Sequence, residues 1–374
     1  MIYQLVKKMD TRKKIGKRII GSFVSDEKRK RLKLYLKDRP RTKMIRQVSH
    51  ARTSHLEDLL QICLKHISPV TAPLALISQI SFSGGSLLNR LLDGHSKLHT
   101  YPRAFAVDSP SKGSWPQIDI KGKPEEWLSV ISKTIDIAGI REGIEQSEED
   151  IARFPFMYLS ILQKQIFIKY LESVDPVNTR HIFDAHMTAC FGAWLNYQNH
   201  SIDKKFVTAY APGLAMQDEA INNFFQIYPD GRLISIIRDP EHWFISASRL
   251  KPQIYGDFES ALGHWQESVR AAIQIRKKFG DRVCLIKFDD LTTRTESVMR
   301  FLSEFLAIPY EDILIKPTSN GIAIWPDNGQ KTRYDDARDN SFTDSNKLDD
   351  DKRKLIKETT AADYQTVLRE VVIL

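Results

Sequence analysis

Gly84, Gly85 and Ser86 stand between a short apolar run and an amphipathic one, a placement suited to holding an anion. Glycines let a backbone approach a charged group with no side chain in the way. A helix starting just after them would point unpaired N–H groups and its positive dipole end at the same spot. Ser83 and Ser86 add hydroxyl donors, and Leu87 continues the helix. A Gly-Gly-Ser turn alone is also what an ordinary tight turn looks like. The pattern G-x-x-x-x-G-K-[ST] is missing, so an ATP or GTP phosphotransferase would lack its phosphate-binding Lys. A P-loop phosphotransferase stays a disfavoured alternative.

A second constellation is Arg238-Asp239-Pro240, with Ser246 eight residues after the Arg. A planar guanidinium holds phosphate oxygens in pairs. Arg238 at a strand end and Ser246 on the next helix would meet a ligand where open α/β sheets bind one, outside the carboxyl ends of the strands. A capped Arg-Asp-Pro helix start without a ligand gives the same sequence.

The elements that must position these groups follow from periodicity. Pro73 to Ile80, Arg232 to Ile237 and Arg282 to Phe288 read as buried strands, and His181 to Asp184 as a short one. Helical patterns cover 55–66, 86–92, 125–138, 155–173, 214–227, 240–250, 257–278, 293–306 and 348–370. Asp239 is placed to cap its helix with Pro240 at the first position. The stretch from Pro102 to Pro124 reads as a loop, and 335–351 as a polar surface loop. Strands alternating with helices predict a three-layer α/β/α fold around a central parallel sheet.

Taken together, the motifs resemble the PAPS-dependent sulfotransferase family, bacterial type. The resemblance rests on Phe82-Ser83-Gly84-Gly85-Ser86-Leu87-Leu88 continuing to Asp93-Gly94-His95, and on Arg238 with Ser246. It rests further on Lys287-Phe288-Asp289-Asp290-Leu291, on Phe305-Leu306-Ala307-Ile308-Pro309, and on Pro317-Thr318-Ser319-Asn320-Gly321. It spans about residues 73–321. It implies a P-loop nucleotide-binding fold and 3′-phosphoadenylyl sulfate (PAPS) as sulfuryl donor, with no metal. Ser83, Gly84, Gly85, Ser86 and Leu87 would hold the 5′-phosphosulfate, and Arg238 and Ser246 the 3′-phosphate. The acceptor would be a hydroxyl, with a glycan or glycolipid as the expected class.

Two positions depart from the family pattern. Phe82 takes the place of its basic loop residue, and Ala104 falls near the position of a Glu suited to act as base. Arg103, Lys112 and Arg90 are the candidate replacement cations. His99, Asp108 and His186 are the candidate bases, each also readable as an ordinary structural or surface residue. A degenerate member that binds the nucleotide without transfer is the alternative. His95 and His99 have metal-ligand spacing only if both lie on one helix, and no HExxH pattern or Cys pair accompanies them.

Charge separates the chain into two parts. Residues 1–50 hold 17 Lys/Arg and 4 Asp/Glu, a net of +13; the other 324 residues hold 38 and 43, a net of −5, which together give the overall +8. The basicity belongs to an amphipathic arm (1–50) rather than to the expected sulfotransferase-like domain (54–374), so nucleic-acid binding is not expected of the body. Ile2, Leu5, Val6 and Met9, then Ile15, Ile19, Ile20 and Phe23, recur at helical spacing among lysines. Residues 1–24 thereby match a basic helix lying on a membrane surface. A packed helix or a solvated arm fits the same pattern. Three scattered cysteines, and a start without an apolar run followed by small residues, predict a cytoplasmic protein, peripheral on the inner face of the membrane.

Overall fold

The computed structural model describes residues 57–105, 115–134, 157–324 and 348–371, apart from 59, 117 and 202. The basic arm, Asp108, Lys112 and residues 335–347 lie outside them. The chain divides into two units, 1–66 and 67–374. In the first, residues 60–65 are helical. The second carries the sheet.

Strand β1 (Leu74–Ile77) is buried at every position, as its continuous apolar run requires. It leads through a turn to helix α1 (Gly85–Leu92) and then to β2 (Leu98–Ala104). Helices α2 (Pro124–Thr134), α3 (Ser160–Glu172) and α4 (Thr179–Ala193) precede β3 (Phe206–Tyr210). Helix α5 (Asp218–Ile227) leads to β4 (Arg232–Ile237), which is followed by α6 (Pro240–Leu250), α7 (Pro252–Tyr255) and the long α8 (Phe258–Phe279). Then come β5 (Val283–Lys287), α9 (Phe288–Thr293), α10 (Thr295–Phe305), the small hairpin β6 (Thr318–Ser319) and β7 (Ile322–Ala323), and α11 (Asp350–Glu370).

The five long strands form one sheet in the order β2-β3-β1-β4-β5, every neighbouring pair parallel. This is the expected α/β architecture. One face packs Ala75, Ile77, Ile234, Ile236, Cys284 and Ile286 against Leu88, Leu91 and Leu92 of α1 and Val298, Met299 and Leu302 of α10. Alternate strand residues point to the opposite face, where His99 of β2 stacks on Phe191 of α4 and Ile80 N–H donates to Ser268 Oγ of α8. Among the described residues, no helix is long and apolar enough to cross a membrane.

Two expectations are corrected. His181 to Asp184 is not a strand but the first turns of α4. The Asn178 side chain accepts from His181 N–H (2.9 Å) while His181 Nδ1 accepts from Asn178 N–H, a reciprocal cap that starts a helix there. Pro102 to Ala104 is not loop but the end of β2, where Pro is tolerated because β2 is an edge strand with a register irregularity between Thr100 and Ala104. The helix expected over 293–306 is α10, and an additional short helix, α9, precedes it, the two meeting at Arg294. The Asp239 cap stands as expected: its carboxylate accepts from Glu241 and His242 N–H, with Pro240 first in α6.

Candidate functional site

The loop between β1 and α1 sits where the carboxyl ends of β1, β3 and β4 meet. Gly84 is the helix cap, with φ 96°, and no side chain caps the helix at that point. The first intrahelical bond runs from Leu88 N–H to the Gly84 carbonyl, so the N–H groups of the opening turn have no intrahelical acceptor. A Cβ on Gly84 would run into the Phe288 ring, and one on Gly85 into the Gln79 amide and the Tyr210 ring. The turn therefore tolerates no side chain at either glycine. Ser83 is buried and Ser86 is exposed at the helix start.

Several side chains fix this loop from behind. Trp243 Nε1 donates to the Ser81 carbonyl at 2.8 Å, and Trp265 Nε1 to the Arg238 carbonyl at 3.1 Å. Arg238, at the end of β4, donates from Nη1 to the Phe82 carbonyl at 2.6 Å, with its guanidinium carbon 4.5 Å from the centre of the Phe288 ring. Only 6% of Arg238 is exposed, yet Nε and Nη2 have no partner among the described residues. Burial, the largest influence, lowers its pKa to about 10, against the opposing effect of Asp289 and Asp239. It is still a cation at neutral pH. Ser246 is buried on α6. Arg238 and the turn are thus directly joined.

Phe82 has φ 70°, a left-handed conformation that is costly for a residue with a side chain. Its ring meets Tyr255 edge-on at 5.9 Å and supplies no hydrogen-bond donor. Gln79 is 1% exposed, and neither of its amide atoms has a partner among the described residues. Beside the turn lies a cavity of about 210 Å³ whose walls include Ser86, Asn89, Arg90, Tyr101, Tyr210 and Asn320.

The two candidate bases among the described residues fall elsewhere. His99 and His186 are absent from the wall of this cavity. His99 is buried under α4, its Nδ1 2.9 Å from the Tyr197 hydroxyl, and burial lowers its pKa to about 3. His186 is fully buried within α4, and burial likewise takes it down to about 3. Both are neutral packing residues away from the turn, because alternation along β2 and the inner face of α4 turns them to the layer opposite α1. Arg90 does line the cavity. Arg103 is next to last in β2, beside Ala104, which pairs with Tyr210. His95 lies in the turn before β2 rather than on a helix with His99, so the two are not one helical turn apart.

The Asp93-Gly94-His95 segment joins distant parts of the chain. Asp93 accepts from Thr318 Oγ1 at 2.7 Å and from Gly321 N–H at 2.8 Å. His95 Nδ1 accepts from Lys97 N–H, which leaves Nε2 protonated to donate to the Pro309 carbonyl at 2.8 Å. Gln79, Tyr210 and Phe288 are not singled out for the loop by sequence reasoning, and Trp243 only by its closeness to Arg238. For Tyr210 the missing signal was β3 itself; the others lay beside motifs already marked.

The family model described as "Sulfotransferase family" matches residues 83–312. Among solved structures, the chain is similar to the sulfotransferase domain from the curacin biosynthetic pathway: 18% identity, TM-score 0.41, 72% of this chain and 83% of that one. It is similar also to the sulfotransferase domain of the Synechococcus PCC 7002 olefin synthase: 16%, 0.42, 79% and 96%. A third is a sulfotransferase from Alicyclobacillus acidocaldarius: 14%, 0.40, 79% and 93%. No curated protein matches the chain.

Proposed function

The chain belongs to the sulfotransferase family, and from that premise we propose that it binds PAPS at the β1–α1 turn and transfers the sulfuryl group to an acceptor hydroxyl. The observation that carries this reading is the pairing of a side-chain-free, uncapped helix start with a buried guanidinium whose Nε and Nη2 lack partners. Both features fit an oxyanion ligand. Ser83, Gly84, Gly85, Ser86 and Leu87 would cradle the 5′-phosphosulfate, and Arg238 with Ser246 the 3′-phosphate.

When bound, the cofactor supplies an activated sulfuryl group: its S–O bond to phosphate breaks, an S–O bond to the acceptor oxygen forms, and the hydroxyl proton is released. The protein's part is to orient and to neutralise. The turn fixes the anion against the dipole end of α1, Trp243 and Arg238 hold the turn in place, and the cavity beside Ser86 receives the acceptor. A glycan or glycolipid is the proposed acceptor class, and residues 1–24 the proposed contact with an anionic membrane surface.

Adenosine 3′,5′-bisphosphate is expected to raise the melting temperature more than AMP or ADP does. A hundredfold excess over its dissociation constant adds about 2.7 kcal/mol. Arg238→Ala should abolish the preference for the 3′-phosphorylated nucleotide; an unchanged shift would remove Arg238 from the site. Stabilisation by ATP with magnesium but not by the bisphosphate would sink the reading as a whole. The second reading, a nucleotide binder without transfer, is favoured by one observation: Phe82 brings no cation to the loop. Transfer that is missing in the wild type but present in Phe82→Arg would establish it.

A further inference from the structure

We infer that the Tyr210 hydroxyl is the donor that meets the sulfuryl end of the cofactor, replacing the cation that Phe82 does not bring. The inference rests on the nucleotide reading above. Tyr210 closes β3, and its register partner on β1 is Ile77, shortly before the turn. The edge of its ring lies against Gly85, with Cδ2 2.7 Å from where a Cβ would stand. The same side chain and Ser86 both line the cavity beside the turn. Tyr210 therefore touches the anion cradle on one side and the proposed acceptor space on the other, the boundary at which a group moving between them must sit.

The chemistry of the side chain suits that place. Burial, and then the neighbouring Tyr255, hold the phenol above its ordinary pKa, so it keeps its proton at neutral pH and acts as a donor, not a base. No hydrogen bond occupies its hydroxyl among the described residues. The Tyr255 hydroxyl, by contrast, is bonded to the Ser81 side chain. Gln79 packs its unpartnered amide against the same spot on Gly85, so two uncharged donor groups converge where the loop lacks a charged one. Arg238 is placed differently, with Nη1 committed to the Phe82 carbonyl from the β4 side.

PAPS carries the sulfuryl group and adenosine 3′,5′-bisphosphate does not, so comparing their affinities isolates this contact. Equilibrium titration of both ligands into the full chain is the experiment, with Tyr210→Phe as the main variant. Loss of one hydrogen bond to a charged group predicts about a tenfold weaker affinity for PAPS, with bisphosphate affinity and melting temperature unchanged. Tyr210→His, which keeps a ring donor, should recover part of the PAPS preference, and Tyr255→Phe should not alter it. Equal weakening of both ligands by Tyr210→Phe, or of neither, overturns the role of Tyr210 while leaving the nucleotide site standing. A wild-type chain that binds neither ligand overturns the nucleotide reading itself, and the inference with it.

Discussion

Gly85 has no room for a methyl group. Its φ is unexceptional, so the constraint is steric: the Gln79 amide and the Tyr210 ring already fill the space a Cβ would take. Gly85→Ala should destabilise the protein by about 1–3 kcal/mol, the usual range for overpacking, and should remove the thermal shift given by the bisphosphate. A melting curve with and without ligand measures both. The glycine pair and the Arg238–Ser246 spacing were legible in the sequence because each states its chemistry through residue type. Tyr210 was not legible, because a tyrosine in an unrecognised strand has no type-specific signal; only its contact with Gly85 marks it. Nor could spacing show that the candidate base His99 points away from α1, since that depends on which face of β2 it occupies.

At the scale of elements, two buried groups on α4, His186 and Asp184, act in opposite senses. His186 has its folded pKa lowered by burial to about 3 from an ordinary 6.5. Its contribution is complete above about pH 6.5 and is lost as the pH falls toward 3, with an upper bound of about 5 kcal/mol from the size of the shift. Asp184 is raised by burial to about 6, against its ion pair with Arg180 at 3.1 Å. Its effect on stability is present in acid and lost as the pH rises through about 6. His186→Leu should therefore reduce acid sensitivity between pH 6.5 and 4, and Asp184→Asn should steepen it; urea melts across that range test both. Three of the five strands were legible as continuous apolar runs. The two that were missed have physical reasons: β2 carries a proline at a sheet edge, and β3 breaks its apolar run with Thr208. The false strand at 181–184 arose because a short apolar run fits either geometry. The Asn178–His181 cap decided for helix.

Over the whole molecule, charge and fold are divided. The body beyond residue 50 carries a net of −5 and the arm +13. Co-sedimentation of the full chain with anionic vesicles is expected, weakening as salt screens the contact. A chain starting at residue 41 should stay in the supernatant, and equal pelleting of the two would remove the arm from the interaction. The C-terminal helix α11 is tied to α6 by Arg353 and Glu241 at 2.8 Å and to α8 by Arg270 and Asp363 at 2.9 Å. The grip of Thr318 and Gly321 on Asp93 has a further consequence for what counts as a self-sufficient piece of this chain. The stretch shared with the family ends at residue 312, but the carboxylate at the foot of α1 depends on two residues beyond that point. A fragment cut there would leave a buried acid without two of its donors and the anion-holding helix loose at its far end. Inheritance of the motif and independence of the fold thus have different boundaries, the second lying past Gly321.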